Sequence, residues 1–318
     1  MSYFKIQEVS KSYTAQPALH PISISLNRGD FLSIVGESGS GKSTLLRIMA
    51  GLEEQDSGKV FLEGMEILSP KHKVVAGYPE IKLIYQDFHL FPNSTVAENI
   101  ARPLLQFDKS YAKQRVELLI QMLGLQPFRD RFPRELSGGQ KQKVAIANGL
   151  SVEPEVLLLD EPFGSLDTIQ KQRLIVDLKA TLEEMGTTVV FVTHDLDDAL
   201  RLTDNLLILQ KGKVVQEGNS RHLCEYPKSK YIAQLFSSIN SISKEENTFI
   251  RPSDVKLRTA NGLLAHVEDL RFLVHFNSLQ IRIKESGELW EVDDPQRKYQ
   301  KGDRVYLTWD EGRVMTLK

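Results

Sequence analysis

Three observations predict an α/β protein with a helical insert and a small all-β domain behind it. Short, nearly continuous apolar runs alternate with helical patterns over the first two-thirds of the chain. Three successive helical patterns then interrupt that rhythm, and strict apolar–polar alternation takes over near the C-terminus. Phe31–Val35 is the first of the apolar runs and ends at Gly36; a helix follows from Lys42 to Ala50, with Leu45, Leu46, Ile48 and Met49 mostly on one side. Ile81–Tyr85, Val156–Leu159, Thr188–Val192 and Asn205–Leu209 are further runs of the same kind. Such runs suit a parallel sheet covered on both faces, and the helices between them give the βαβ rhythm. Within about 87–151, helices are expected at Val96–Leu105, Tyr111–Leu123 and Ser137–Leu150 with no strand between them. The polar, serine-rich stretch 237–247 is expected to be a linker. Beyond it, Leu279–Lys284 and Val305–Trp309 alternate as half-buried strands do, with Gly262, Gly287, Gly302 and Gly312 at turns, which points to a small barrel.

At 318 residues the chain has room for about two domains, at about 150 residues each. Lys plus Arg is 40 and Asp plus Glu is 42, a net charge of −2. That balance gives no support to a protein that coats nucleic acid, which needs a basic excess. The single cysteine, Cys224, excludes an intrachain disulfide framework and any CxxC redox or zinc motif. No run approaches the roughly 18 apolar residues of a membrane span, and the N-terminus lacks a signal-peptide pattern. Composition alone therefore leads to the expectation of a soluble, cytoplasmic, two-domain protein.

Gly36-Glu37-Ser38-Gly39-Ser40-Gly41-Lys42-Ser43 fits GxxxxGK[ST] and lies between a predicted strand and a predicted helix, the context that this phosphate-binding loop requires. Its glycines let backbone N–H groups converge on phosphate oxygens, and the helix N-terminus adds partial positive charge. Lys42 would supply a cation for the β and γ phosphates and Ser43 a hydroxyl for Mg²⁺. Val156–Leu159 delivers Asp160 and Glu161 to the C-terminal end of a buried strand, where ligands bind in open α/β sheets. Asp160 suits a place in a Mg²⁺ shell, and Glu161 could accept a proton from an attacking water. His194 ends another apolar strand on the same expected sheet edge, where an imidazole could bond the γ-phosphate or hold the water. Leu136-Ser137-Gly138-Gly139-Gln140 offers an N-cap serine and accessible N–H groups, a second candidate anion site at a helix start but without lysine or metal ligands of its own. Two chains facing each other, each completing the other's site, would unite the two features.

Taken together and in this order, these segments resemble the ATP-binding subunits of ABC transporters. Ser165-Leu166-Asp167 adds to the likeness, as do Gln86 at the position of the family's Q-loop glutamine and Tyr13 at that of the aromatic that stacks on adenine. The resemblance covers residues 1–236 and implies a P-loop NTPase (RecA-like) domain. ATP would be sandwiched in a head-to-tail homodimer, between the loop residues Gly36, Ser38, Gly39, Gly41, Lys42, Ser43 and Thr44 of one copy and Ser137, Gly138, Gly139 and Gln140 of the other. It further implies Glu161 as general base, His194 as its catalytic neighbour, Gln86 as sensor of water and Mg²⁺, and Asp167 as a contact across the dimer. Ser43, Gln86 and Asp160 would be the Mg²⁺ ligands.

The C-terminal segment resembles the OB-like TOBE extension of importer ATPases, with Arg251-Pro252 matching its start and Ser253 in place of the usual glutamate. The implied division is an ATPase domain at 1–236, a linker at 237–247 and a TOBE-type domain at 248–318. The implied partners are a second copy of the subunit, integral-membrane permease subunits and an extracytoplasmic solute-binding protein, with the chain peripheral on the cytoplasmic face of the membrane. Phe88, Leu90 and Phe91 would anchor the permease contact. The implied function is ATP hydrolysis that drives import of a small solute of the inorganic-ion, polyamine or sugar class. An exporter or lipid-extraction ATPase is the alternative, disfavoured by the C-terminal β segment, and a soluble ABC ATPase is disfavoured by the single phosphate loop. Asn148-Gly149 departs from the arginine–alanine usual at that place in the family, and a mid-helix glycine costs about 1 kcal/mol relative to alanine.

Overall fold

A computed structural model describes every residue except Met1, Ala15, Val74, Gln86, Ser165 and Lys318. The chain divides into two compact units, Met1–Ser220 and Arg221–Lys318.

The first unit is built on a six-stranded sheet. In chain order its elements are β1 (Phe4–Ser12), β2 (Pro17–Leu26), β3 (Phe31–Val35), α1 (Lys42–Met49), β4 (Ser57–Leu62), β5 (Met65–Ile67) and β6 (Ile81–Ile84). They are followed by α2 (Val96–Ala101), α3 (Lys109–Met122), α4 (Gly138–Leu150), β7 (Val156–Asp160), α5 (Thr168–Glu184), β8 (Thr188–Thr193), α6 (Leu196–Leu202), β9 (Asn205–Gln210) and β10 (Lys213–Asn219). The sheet runs β10-β9-β3-β8-β7-β6; β9, β3, β8, β7 and β6 are parallel, and β10 closes one edge antiparallel. Every apolar run expected to be a strand is one. Their continuous apolar character follows from burial on both faces. Leu32, Ile34, Leu158, Val190 and Leu207 share a core with β1, β2 and α1. On the other face Ser33 donates to the Ala199 carbonyl of α6, and Phe191 packs on Phe163.

A second sheet, β2-β1-β4-β5, is antiparallel. Its pattern is broken in the sequence because Glu8 adopts φ 49° and the β1–β2 register shifts between Ile6 and Val9, as a bulge does. The helical insert occupies the expected place. Helix α2 is shorter than its apolar pattern and passes into a 3₁₀ turn over Arg102–Leu104, where Pro103 removes a backbone donor. Thr95 and Glu98 cap α2 reciprocally, and Asp108 caps α3.

The second unit holds α7 (Ser220–Glu225, from Arg221 onward), α8 (Lys230–Phe236), β11 (Asn240–Ser243), β12 (Thr248–Ile250), β13 (Lys256–Arg258), β14 (Leu263–Phe272), β15 (Asn277–Ile283), β16 (Leu289–Asp294), β17 (Arg304–Thr308) and β18 (Met315–Thr316). Five antiparallel strands, β13-β17-β14-β15-β16, enclose Val267, Leu279, Ile281, Trp290, Val292, Val305 and Leu307. This is the small all-β fold that alternation predicts, and its curled sheet is of the OB-like kind that the resemblance implies. A three-stranded sheet, β11-β12-β18, lies in the same unit. The stretch expected to be a linker thus contains a strand. Its backbone pairs antiparallel with β12, Asn240 opposite Ile250 and Ser241 opposite Phe249, and the Asn240 amide donates to the Glu291 carbonyl at 2.7 Å and accepts from the Glu291 N–H at 2.9 Å, adding a side-chain rung to β16. Arg251 joins the helices to the strands, its guanidinium donating to the carbonyls of Cys224 and Ala233 and to the Ser237 hydroxyl.

Candidate functional site: a phosphate-binding cluster

Sheet order puts the ends of β3, β7 and β8 side by side, with Val35 opposite Thr193 and Asp160 opposite Val192. Three loops therefore start from one sheet edge and carry Gly36–Ser43, Glu161 and His194. Gly36 is compelled by space, since a Cβ there would lie 2.1 Å from the Leu209 carbonyl oxygen on β9. Behind the loop, the Ser40 carbonyl accepts from the Gly212 N–H at 3.0 Å, so the β9–β10 turn braces it. Ser38 and Gly39 are exposed at the loop's crest, and Gly41 caps α1.

Lys42 is the first residue of α1, and its side chain folds back under the loop. The ammonium donates to the carbonyls of Gly36 at 2.7 Å and Glu37 at 2.9 Å, and lies 3.8 Å from Glu161 Oε1. Burial pulls its pKa below the ordinary lysine value, and the carboxylates of Glu161 and Asp160 oppose that pull. Ser43 Oγ donates to Asp160 Oδ1 at 3.0 Å. Burial holds the Asp160 carboxyl above the usual carboxylate range, against the opposing Ser43 hydrogen bond and with a further push from the charge of Glu161. A hydroxyl and a carboxylate in contact are the oxygen donors a hard cation takes. Among the described residues no group of three or more His, Cys, Asp or Glu side chains could hold a metal by itself. A Mg²⁺ here would draw its remaining ligands from nucleotide phosphate and water, as this ion commonly does.

Glu161 has φ 46°, an uncommon conformation for a non-glycine residue. Its N–H donates to the Val192 carbonyl, which fixes it against β8. Its two oxygens face different partners, Oε1 toward Lys42 and Oε2 at 2.9 Å from Nδ1 of His194. The His194 side chain is 60% exposed, so the Glu161–His194 pair opens to solvent.

Tyr13 offers an exposed ring at the other end of the loop. Its hydroxyl bonds Glu53 and lies 3.4 Å from Thr44 Oγ1, and the Lys11 ammonium sits 5.6 Å from its ring centroid. Glu53 also pairs with Arg47 at 2.8 Å. The bracing by Glu53 was not legible in the sequence, because it joins residues 40 apart with no motif between them.

The structure thus brings together Tyr13, Lys42, Ser43, Thr44, Asp160, Glu161 and His194. It does not bring Ser137–Gln140 to them: among the described residues no hydrogen bond or ion pair joins the two groups. Ser137 caps α4, its Oγ accepting from the Gln140 N–H at 3.3 Å while Gln140 Oε1 accepts from the Ser137 N–H at 2.9 Å. Ser137 and Gly138 are exposed, and Gly139 is buried, its α-carbon facing Leu166. Asp167 is exposed and caps α5 through the Gln170 N–H at 3.0 Å. Gln86 and Ser165 lie outside the described residues.

A family model described as ABC transporter matches residues 19–164. The chain is 33% identical to the spermidine/putrescine import ATP-binding protein PotA of Bacillus cereus, covering 98% of each, and 30% identical to the protein of that name from Aggregatibacter actinomycetemcomitans, covering 98% of this chain and 95% of that one. The chain belongs to the ATP-binding proteins of ABC transporters. It is therefore an ATPase, and the cluster around Lys42 is the candidate for its phosphate site. A dimeric post-hydrolysis state of the ATP-binding cassette MJ0796 bound to ADP and Pi is similar at TM-score 0.62 and 32% identity, over 68% of this chain and 98% of that one. Among the described residues of this ABC ATPase, no helix is long and apolar enough to cross a membrane.

Proposed function

We propose that this chain is the ATP-hydrolysing subunit of an importer for a small polycation of the polyamine class. The observation that carries the reading is near full-length similarity to proteins named for spermidine/putrescine import, which extends through the C-terminal β-rich unit as well as the ATPase unit. The same coverage favours import over an exporter or lipid-extraction role. The C-terminal unit would be the TOBE-type extension. The chain would sit on the cytoplasmic face of the membrane, bound to permease subunits and served by an extracytoplasmic solute-binding protein.

Tyr13 would carry the adenine on its exposed face, while the loop N–H groups and Lys42 receive the phosphates. The buried ammonium, already bonded to two carbonyls of its own loop, would exchange them for phosphate oxygens, a charge-assisted gain in a site where water is scarce. Ser43 and Asp160, with Gln86, would hold Mg²⁺, which when bound supplies charge neutralisation at the phosphates. Glu161 would take the proton of the attacking water, with His194 orienting the carboxylate through its Nδ1 contact. The second copy would contribute Ser137, Gly138, Gly139 and Gln140 to the phosphates and Asp167 to the dimer contact. The dimeric assembly of the MJ0796 cassette supports this arrangement.

Phe88, Leu90 and Phe91 follow Gln86, and the Phe91 ring is 42% exposed beneath the Arg102 guanidinium. They would form the permease contact. The test is uptake of labelled spermidine and putrescine in cells lacking the gene, complemented with the wild-type chain or with Glu161→Gln. Uptake should return with the wild-type chain alone. Restored uptake of a sugar or of ferric iron, with none of polyamine, would refute the substrate class.

A further inference from the structure

Asn148 and Gly149, which depart from the pattern usual in the family, stand at a junction of three elements. Gly149 lets α4 press on β6: a Cβ there would lie 2.8 Å from Cδ1 of Ile84, two residues before Gln86. Asn148 donates from Nδ2 to the backbone carbonyl of Asn99 at 2.6 Å, tying α4 to α2. Asn99 is wholly buried, and its own side chain holds the preceding loop. Its Oδ1 accepts from the Phe91 N–H at 2.8 Å, and its Nδ2 donates to the carbonyls of Phe91, Ser94 and Thr95. Upstream of that clasp the backbone is strained, with Phe88 at φ 60° and His89 at φ 47°, and His89 stacks on Tyr85 at 4.1 Å. The segment after Gln86 is thus a strained loop clamped at its far end by one buried side chain. That clamp is bonded directly to the helix whose other end is Ser137.

We propose that Asn148 is a positioning residue that couples movement of α4 to the loop Phe88–Ser94 through Asn99. The link is a contiguous set of hydrogen bonds with one member, Asn148–Asn99, joining the two elements, and the two left-handed residues upstream give the loop a conformation it can leave. A push on α4 at Ser137–Gln140, delivered by nucleotide and a facing copy, reaches the loop along this route. The coupling rests on the facing-dimer reading given above.

Hydrogen exchange on the full chain tests it without permease or solute. In the Glu161→Gln background, with and without ATP and Mg²⁺, nucleotide should protect the amides of 137–140 and change exchange across 88–99 in the same preparation. Asn148→Leu keeps the shape and removes the donor. It should retain the response at 137–140 and lose about fivefold of the response at 88–99, the scale of one hydrogen bond's net contribution. Asn148→Gln keeps an amide donor and should restore much of it. An undiminished response at 88–99 in Asn148→Leu would overturn the proposal. So would a loss at both segments together, which would mean a merely structural role. Absence of protection at 137–140 in the Glu161→Gln parent would instead refute the facing dimer.

Discussion

At the Lys42 cluster, four elements deliver side chains to one another; at Ser137, a helix start faces solvent and bonds to its own first turn. Lys42, Ser43, Asp160 and Glu161 are largely buried and mutually paired within one chain. Ser137 and Gln140 satisfy each other at the surface. The contrast separates two kinds of preparation. On the proposed reading the first region would carry the chemistry, and its side chains are already paired with one another within the chain. The second would find its phosphate partner only in a facing copy. A site divided in this way would tie hydrolysis to assembly.

The sharpest way to break the comparison is Glu161→Gln. If the Lys42 cluster holds the chemistry, hydrolysis should fall by about a thousandfold, within the range general-base catalysis supplies, while equilibrium binding of labelled ATP persists. Hydrolysis at the wild-type rate would remove the base from Glu161. Ser137→Arg comes next and probes the other region. Single-chain ATP binding should survive and hydrolysis by the homodimer should fall to background. Mixing it with Lys42→Ala should recover part of the activity through one intact composite site, and a mixture as inactive as its components would mean that both sites must act together or that none is shared.

A third change asks how firmly the sheet edge that carries His194 is held. Lys171 on α5 pairs with Asp198 at 2.8 Å and Asp195 at 3.1 Å, just beyond His194. Although burial works against its charge, bonds to Asp198 and Asp195 raise the Lys171 pKa. The pair's stabilisation is therefore complete below the unfolded lysine value of about 10.4 and lost as pH rises through the higher folded value. Burial raises the Asp198 carboxyl against the opposing pull of Lys171, and Lys171→Met removes the cation that offsets this burial. The variant should lose about 1–3 kcal/mol in chemical denaturation at pH 7. The deficit should shrink as acid protonates Asp198, beginning above the usual carboxylate range. The smallest expected effect is that of Gly149→Ala. Overpacking against Ile84 costs about 1–3 kcal/mol and the helix gains about 1 kcal/mol, so the net loss should be near 1 kcal/mol and Ile84→Val should recover part of it.

The six-stranded sheet and the Lys42 cluster were legible because both rest on local signals, apolar runs and a loop motif at a strand–helix junction. The antiparallel sheet was not, since the bulge at Glu8 breaks the alternation that would announce β1. Pairing with β12 makes a strand of the apparent linker, Asn240 fastens it to Glu291, and Arg251 bonds α7 and α8 to one another; the Asn240 and Arg251 bonds act over distances that composition does not record. For the same reason Asn148 and Gly149 looked anomalous as letters and acquired a reason only from Asn99 and Ile84.

The bracing of the phosphate loop has a consequence for how the chain is made. Strand β3 pairs with β8 and β9, and the loop behind it rests on Leu209 and Gly212. The motif is therefore translated early; Ala18 and Leu19 already stand against Gly41, but the bracing at Gly36 and Ser40 comes from residues that emerge more than a hundred positions later. Pairing of such high sequence separation is slow to form. A nascent chain stalled before β9 would carry the whole glycine–lysine motif and still lack the wall against which it closes. Firm nucleotide retention would then be expected only of chains that have grown past Gly212.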